Sequence, residues 1–411
     1  MTPAAAGRWR VANLVAQLAF GLVAMTICLP SMPSWVDDFG MSTAAVQLTF
    51  SAYVLAFGVL QLVYGPLSDR LGRRRVLLAG LAVAGAGSLA AMFAPDLPTL
   101  VAARALQGAG TASGMVVGRA LVQDLFQGAE RTRVMAFVGM AMGLCPPTAI
   151  LLGGQLHVRL GWQANFALVA GLAALLAVAA WRGLPASRPA SATPGMSAPV
   201  HWARALAQAY ARLARERSFV LYVLILAMAT ATFYAFLAGA PLVLGRLGVG
   251  PESMGLYIMA IPLSYIGGNY LATRLAQAVG DRALMRWGQG LSMAGLLLLL
   301  ALAGAGLHTA LAFAAPLVLL GIGHGLLMPP TLSGTVGVIP ALAGSAAAVG
   351  GLMQQLLGAV GGYAVGWVRH DSAFGVGALM LGFMLLALLA QLALHRAPAG
   401  APASRGAGAE P

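Results

Sequence analysis

The chain has 411 residues, of which 60% are hydrophobic and only 9% are charged. Soluble domains are about 45–50% apolar, so this composition excludes a soluble protein and indicates an integral membrane protein. The formal net charge of +13 comes from arginine alone, because the chain contains no lysine. Most of these arginines adjoin apolar runs, which favours a role in membrane topology over nucleic-acid binding.

Apolar runs recur along the whole chain, and a membrane-spanning helix needs roughly 20 such residues. Breaks at charged, proline and glycine residues predict twelve spans at 11–34, 46–67, 76–94, 98–122, 134–156, 162–183, 219–244, 253–274, 283–304, 309–330, 342–366 and 374–396. The first run is too long for the core of a secretory signal, so we interpret it as a retained helix. The predicted fold class is therefore all-α and integral to the membrane.

The arginines orient these spans. If the amino terminus is cytoplasmic, nearly all of them fall in inner loops or at inner helix ends, as the positive-inside rule requires. Arg159, Arg246 and Arg369 fall outside, and Arg104 lies within a span. We therefore predict that both termini are cytoplasmic.

A break after the sixth span divides the chain into two groups of six helices. The predicted domains are an N-terminal six-helix bundle at 1–183, a cytoplasmic linker at 184–217, a C-terminal six-helix bundle at 218–396 and a disordered cytoplasmic tail at 397–411. Within the linker, one helical face would carry Trp202, Leu206, Tyr210 and Leu213. Such a face is typical of a helix lying along the inner membrane surface, and a solvated helical connector is the alternative.

The two halves also match each other. A shift of 204 residues places "AYVLAF" (52–57) over "LYIMAI" (256–261), and aligns Arg70 with Arg274 in the inner loop that follows. Two pseudo-symmetric halves are typical of transporters that alternate access around a site at the membrane midplane.

The stretch "GPLSDRLGRRR" (65–75) concentrates charge between the second and third spans. It resembles the signature loop of the major facilitator superfamily, which implies the major facilitator fold and a gate motif comprising Gly65, Asp69, Arg70, Gly72 and Arg73. The resemblance implies that Gly65 permits a tight helix contact and that Asp69 and Arg73 join a charge network bracing the cytoplasmic gate. Charge-assisted hydrogen bonds of this kind can break when helices separate; the alternative is that the arginines only anchor topology. The second-half counterpart of Asp69 is Thr273, so the acid is absent there.

Two further stretches resemble motifs of drug–proton antiporters. "RALQGAGTASG" (104–114) resembles their helix 4 motif, with Arg104 and Gln107 as its polar members. An arginine within the hydrocarbon needs water or a partner, which favours a cavity position. "GMAMGLCPPTAILLGG" (139–154) resembles their helix 5 motif through Gly139, Gly143, Pro146, Gly153 and Gly154. Pro147 is extra and Ile150 replaces a second proline, and these residues could equally shape helix packing.

Over nearly its full length the chain is similar to the Bcr/CflA-type branch of twelve-helix drug-resistance transporters, with "TICLPSMP" (26–33) adding to the likeness. This implies a secondary active transporter of the bacterial inner membrane that exports small amphipathic drugs in exchange for protons. Its expected partners are a small-molecule substrate, protons and the lipid bilayer, not nucleic acid. We expect a monomer driven by the proton gradient and no cofactor.

The residue that would carry the coupling proton is not obvious. Thr26 stands where many members of this branch carry an acid, and no acid falls deep within a predicted span. His324 is the midspan residue with an ordinary pKa near ~6.5. Two hypotheses stay open for His324: it carries the coupling proton, tuned by Arg104, or it is a neutral histidine hydrogen-bonded in a helix contact. Asp37 and Asp38, just outside the first span, are the second candidates.

The predicted substrate cavity is apolar and adaptable, suited to flat lipophilic cations or neutral drugs. Its candidate residues are Thr26, Tyr53, Gln107, Tyr234, Tyr257, Tyr265, Met328 and Gln354. For each of them, helix packing is the alternative role.

Two other functions remain open. The first is a major facilitator transporter that exports or imports a specific metabolite. The second is a membrane enzyme or signalling protein, but the chain has no HExxH, no Cys/His ligand spacing, no G-x-S-x-G and no phosphate loop. We therefore do not expect an enzyme.

Overall fold

The computed structural model describes residues 3–185, 208–369 and 372–396. These residues are almost entirely helical, with no strand among them. Most of the predicted linker, including Trp202 and Leu206, and the whole predicted tail lie outside the described residues.

The helices follow the predicted order. Their bounds are α1 Pro3–Thr26, α2 Ser34–Asp38, α3 Thr43–Leu71, α4 Arg73–Met92, α5 Leu97–Leu125, α6 Gly128–Leu160, α7 Gln163–Gly183, α8 208–215 in its described part, α9 Arg217–Arg246, α10 Pro251–Ile258, α11 Ala260–Val279, α12 Asp281–Gly304, α13 Ala310–Gly337, α14 Ala343–Ala364 and α15 Ala373–Arg396. Short 3₁₀ turns occupy Leu29–Ser31, Pro340–Leu342 and Val365–Trp367. Each of the twelve predicted spans has a counterpart, the eighth being divided into α10 and α11.

The first span is shorter than predicted. We expected it to reach residue 34, but α1 ends at Thr26 and is followed by a 3₁₀ turn that contains Pro30. Proline lacks a backbone N–H and clashes with the preceding helical turn, which favours the end of the α-helix just before it.

Local signals set several helix starts. Ser42, Asp96 and Thr309 cap α3, α5 and α13, and each side-chain oxygen accepts a hydrogen bond from a backbone N–H three residues later. These bonds satisfy donors that have no partner within the helix. Hydrogen bonds from the Thr99 side chain and from its backbone N–H hold the pKa of the Asp96 carboxyl below its ordinary value.

Nine helices within the described ranges are long and apolar enough to cross a membrane by length and composition alone. The predicted spans that fall short are α5, α10–α11 and α14. These helices pack against other helices within or between the halves, and small residues permit such close helix contacts in a membrane.

The two halves are built on the same packing scheme. In the first half, α5 packs on α3 through Gly108 and on α4 through Gly110, where an added methyl group would overlap the neighbouring backbone. In the second half, α13 packs on α11 through Gly321 and on α12 through Gly323 in the same way. The segments "GAG" (108–110) and "GIG" (321–323) therefore have the same packing role in the two halves. Close helix approach in a membrane requires residues without bulky side chains.

The bundles meet each other at one end of the molecule. Across this interface the Ser51 hydroxyl donates to the Ala359 carbonyl at 2.9 Å, and Gln47 Nε2 donates to the Ala238 carbonyl at 3.1 Å. A methyl group at Gly154 would overlap the Pro251 carbonyl of the opposite bundle. We call this the closed end; it lies opposite the loop at 65–75, which marks the motif end.

The bundles separate toward the motif end. On α3, Gly58 still packs on Gln355 of α14, but a methyl group at Gly65 would meet only Val116 of its own bundle, at 3.9 Å. The tight helix contact expected at Gly65 is therefore absent from this conformation, because no atom of the facing bundle's described residues lies within 4 Å of the position that a Cβ would occupy. The cavity between the bundles is closed at one end and opens at the other.

The described part of the linker docks on the C-terminal bundle. Leu213 of α8 is fully buried in a cluster with Phe219, Val223 and Ala346. Packing on protein explains why position 213 is apolar. Trp202 and Leu206, which belong to the predicted membrane-facing side of this helix, lie outside the described residues.

Replacing Gly154 by valine should push the bundles apart at the closed end, because the new side chain overlaps the Pro251 carbonyl. We expect overpacking to cost about 1–3 kcal/mol and the distance between spin labels on Asp37→Cys and Glu252→Cys to lengthen. Gly171→Val is the matched control, since Gly171 is exposed with no atom within 4 Å of its added Cβ. An unchanged label distance would contradict the assignment of Gly154 to the closed end.

Candidate functional site

A cavity of about 590 Å³ lies between the two bundles. Its wall is formed by α1 and α6 on one side and by α9, α11, α13 and α14 on the other. The lining residues are Leu22, Met25, Gly139, Met140, Met142, Gly143, Pro146, Thr230, Phe233, Tyr234, Ile261, Pro262, Tyr265, Ile266, Asn269, His324, Met328, Gln354 and Gln355. Its volume falls in the range of small-molecule sites, and the interface between two domains is a usual place for them.

The wall is mainly aliphatic, aromatic and thioether surface with a few neutral polar groups. The Tyr234 hydroxyl donates to Gln355 Oε1 at 3.1 Å, and Gln354 Nε2 donates to Thr230 Oγ1 at 3.0 Å. Both bonds join α9 to α14 and position the amide groups in the wall. Flexible methionines can adapt to ligands of different shape.

The structure places half of the predicted cavity residues in this wall. Those that line it are Tyr234, Tyr265, Met328 and Gln354, whereas Thr26, Tyr53, Gln107 and Tyr257 do not. Thr26 donates to the Leu22 carbonyl, and the Tyr53 hydroxyl bonds the Gly21 carbonyl and Thr111. These polar atoms are satisfied inside the protein, so they turn away from the cavity.

Sequence reasoning missed much of the apolar wall. Met25, Met140 and Met142 line the cavity from the first bundle, and Phe233 lines it from the second. The sequence alone does not show whether a methionine in an apolar run lines a cavity or packs against a neighbouring helix. Only the position of Met140 and Met142 inside the helix 5 motif could have pointed to them.

His324 lies in the cavity wall and is only 4% exposed. Its Nδ1 is 3.0 Å from the Leu320 carbonyl oxygen and its Nε2 is 3.1 Å from the Ala229 carbonyl oxygen. A carbonyl only accepts hydrogen bonds, and a neutral imidazole has a single N–H. The protonated ring therefore satisfies both carbonyls, while the neutral ring satisfies one.

The neutral ring also has a partner. Ser292 Oγ of α12 lies 3.5 Å from Nδ1, and a hydroxyl can donate to an unprotonated ring nitrogen. His324 can thus exchange a proton and keep hydrogen bonds in both states. With Nδ1 as the acceptor, the neutral ring keeps its proton on Nε2 and already ties α13 to Ala229 on α9. Protonation of Nδ1 replaces the Ser292 bond by a bond to the Leu320 carbonyl within α13.

Arg104 does not lie in the cavity, in contrast to the sequence expectation. It is fully buried behind α1, where it donates to the carbonyls of Ala24 at 2.8 Å and Met25 at 3.1 Å, and to Gln107. The carbonyls in the last turn of a helix lack partners within that helix. The early end of α1 therefore creates acceptors for the guanidinium, and Gln107 in turn donates to Ser88 at 2.8 Å.

Within the described residues, Arg104 and His324 share no hydrogen-bond partner, so tuning of His324 by Arg104 would act through space and stays a prediction. The hydrogen bonds of Arg104 stay within the N-terminal bundle, and those of His324 stay within the C-terminal one. The second candidates, Asp37 and Asp38, are exposed on α2 near the closed end and do not line the cavity.

The charged loop forms a compact cluster at the motif end. Arg73 pairs with Asp69 at 2.5 Å and with Asp124 of α5 at 3.2 Å, and donates to Ser68 Oγ at 2.7 Å. Gly72 adopts a φ of 93°, in the left-handed region that favours glycine, which turns the chain between α3 and α4. Arg70 is exposed, and Asp124 is the member that sequence reasoning missed because it lies 51 residues from Arg73.

The helix 5 motif extends from the cavity to the closed end. Gly139, Gly143 and Pro146 line the cavity, whereas Gly153 packs on Ile27 and Gly154 on Pro251. One helix therefore shapes both the site and the barrier on its far side.

Comparisons with known proteins agree with this architecture. Residues 14–362 match the family model described as Major Facilitator Superfamily. The chain is 31% identical over 347 residues to Multidrug resistance protein D of Escherichia coli (strain K12), covering 84% of each chain. It is 30% identical over 359 residues to the Chloramphenicol resistance protein of Pseudomonas aeruginosa, covering 86% of this chain and 82% of the relative.

A solved structure shares the fold. It is a bacterial homologue of the human lysosomal transporter Spinster in an inward-facing and unoccupied conformation, with a TM-score of 0.75 at 16% identity. The match covers 96% of this chain and 98% of that one.

Arg104→Leu should destabilise the protein, because the carbonyls of Ala24 and Met25 lose their donor inside the bundle. Unpaired buried acceptors cost roughly 1–3 kcal/mol each, and the loss is measured by thermal unfolding in detergent micelles. The control is Arg246→Leu, at an exposed position, which we expect to change stability by less than about 0.5 kcal/mol. Equal unfolding midpoints for the two variants would show that the capping bonds contribute nothing.

Proposed function

Because the chain belongs to the Major Facilitator Superfamily, we propose that it exports small amphipathic compounds in exchange for protons by alternating access. The observation that supports this most is the apolar cavity between the bundles with a buried histidine in its wall, whose two ring nitrogens each lie within hydrogen-bonding distance of a main-chain carbonyl oxygen. The two bundles, 1–183 and 218–396, would rock about this cavity as rigid units. The protein would act as a monomer in the bacterial inner membrane.

The nature of the wall favours drug-like substrates. Three aromatic residues and four methionines are among the nineteen lining residues, and the lining contains no aspartate, glutamate or arginine. A site for a sugar-like metabolite would need many convergent amides and acids. The names of the relatives from Escherichia coli and Pseudomonas aeruginosa, which concern multidrug and chloramphenicol resistance, support the same conclusion.

Proton exchange would take place at His324. In the protonated state the ring bonds both Leu320 and Ala229. A substrate that fills the cavity displaces water from the ring, and loss of water disfavours a charged imidazolium. Substrate and proton would therefore exclude each other, which is the requirement for antiport.

The motif end would face the cytoplasm together with both termini, as the arginine distribution predicts. The described conformation would then be open to the cytoplasm and closed to the outside. Asp69, Arg73 and Asp124 would brace the cytoplasmic gate when the bundles close at this end. Their mutual ion pairs would hold the loop in shape while the gate is open.

Expression in a bacterial strain lacking its major efflux pumps tests the function. We expect cells that produce the protein to accumulate less chloramphenicol than cells with an empty vector, and the difference to collapse when an uncoupler removes the proton gradient. Lower accumulation that persists with the uncoupler would contradict proton coupling. Unchanged accumulation across a panel of dyes and phenicols would contradict drug export.

His324→Gln tests the coupling site, because glutamine keeps hydrogen-bonding capacity but cannot gain a proton. In proteoliposomes that contain a pH-sensitive dye, we expect the variant to lose substrate-driven proton movement while retaining downhill substrate exchange. His308→Gln is the matched control, since His308 is exposed outside the cavity. Substrate-driven proton movement at the normal rate in His324→Gln would eliminate this assignment.

A further inference from the structure

We infer that the cavity selects uncharged aromatic amphipathic molecules and discriminates against lipophilic cations. This rests on the proposed function and specifies its substrate class. It follows from the described side chains that line the cavity or lie directly behind its wall, none of which is an acid and one of which, Arg104, is positively charged.

The first observation is the absence of acid from the wall. Of the nineteen lining residues none is aspartate or glutamate. The polar members are Thr230, Tyr234, Tyr265, Asn269, His324, Gln354 and Gln355. Among them, the amides and Thr230 do not titrate, and His324 can gain only a positive charge. A cation in the cavity would therefore find no carboxylate.

The second observation is where the acids lie instead. Those within the described residues are Asp37, Asp38, Asp69, Asp96, Asp124, Glu130, Glu216, Glu252 and Asp281. All of them are exposed except Glu216, which is half-buried at the start of α9. Exposed charges are strongly screened by water and salt, so they offer little attraction to a cation at the centre of the protein.

The third observation is a permanent positive charge directly behind the wall. Arg104 bonds the main chain of Met25, which itself lines the cavity. Its hydrogen-bond acceptors within the described residues are two carbonyls and the Gln107 amide oxygen, not a carboxylate. The carboxyl end of a helix carries roughly half a negative charge, so the α1 terminus compensates the guanidinium only in part.

The buried position makes this charge effective. Arg104 is 0% exposed, and charges in a protein interior act over longer distances than charges in water. The cavity therefore has a positive potential that opposes a cationic ligand and is indifferent to an uncharged one. Protonation of His324 would add to it.

An uncharged aromatic ligand suits the same wall. The rings of Phe233 and Tyr234 and the thioether of Met328 offer apolar contact, and the Gln354 amide can bond carbonyl, nitro or hydroxyl groups. Export of an uncharged molecule against entry of one proton moves one net charge. Transport would then respond to the membrane potential as well as to the pH gradient.

The test compares two probes in acid-interior proteoliposomes, with protein-free liposomes as the background: chloramphenicol, which is uncharged, and tetraphenylphosphonium, a permanent aromatic cation. We expect the native protein to take up chloramphenicol with a kcat/KM at least about tenfold above that for the cation, since a buried and only partly compensated positive charge opposes the cation. An imposed interior-negative potential, which pulls protons inward, should slow chloramphenicol uptake.

A carboxylate added to the wall should reverse the selectivity. Gln354→Glu keeps nearly the same shape, and we expect it to raise the kcat/KM for tetraphenylphosphonium by about tenfold, because an opposite charge now faces the cation. The matched control is Gln127→Glu, at an exposed position before α6, which should change neither probe. Gln355→Glu, in the same wall, serves if the first variant does not fold.

The outcomes separate this inference from the function beneath it. If the native protein transports the cation with the same kcat/KM as chloramphenicol, the inference is overturned and the proposed proton-driven export stands. Transport of neither probe overturns both. A Gln354→Glu or Gln355→Glu variant that folds but gains no cation transport also overturns the electrostatic argument.

Discussion

Main-chain carbonyl oxygens are hydrogen-bond partners of two basic side chains buried at the centre of this protein, Arg104 and His324. Arg104 bonds the carbonyls of Ala24 and Met25, and His324 bonds those of Leu320 and Ala229. In a bilayer, every backbone polar group needs a partner within the protein. The break that ends α1 thus provides acceptors for an arginine, and the interior holds positive charge without an acid.

Glycine packing determines where the cavity lies. The helices α5 and α13 each pack tightly on two neighbours through Gly108 and Gly110 or through Gly321 and Gly323. These helix triplets have little space between their backbones. The cavity forms where the two halves face each other, between α1 and α6 of one half and α9, α11, α13 and α14 of the other.

The two ends of the interface differ in chemistry as well as in spacing. At the closed end, Gly154 contacts a facing backbone directly and Ser51 bonds across the bundles. At the motif end, the ion pairs of Arg73 remain within one bundle. Contacts between small residues and single hydrogen bonds can form and separate at modest cost, as a transporter with two alternating conformations requires.

The sequence by itself determined the twelve helices, their order and the likeness of the two halves, because apolar length and charged breaks are local properties of the chain. It also identified His324 as a candidate and the family to which the chain belongs. It could not determine which polar side chains face the cavity. In the sequence, nothing distinguishes Tyr53, Gln107 and Arg104 from Tyr234 and Gln354, since all are polar residues within apolar runs. In the structure, the first three form their hydrogen bonds inside the N-terminal bundle.

Only the tertiary structure decided these orientations, since they depend on partners far away in the chain. The acceptors of Arg104 lie about 80 residues earlier, and the Ala229 partner of His324 lies 95 residues earlier. The pairing of Asp124 with Arg73 at the motif end likewise depends on tertiary structure, since the two residues lie 51 positions apart in the chain. Helix formation follows local sequence, whereas the charge and shape of a cavity follow from which helices pack together.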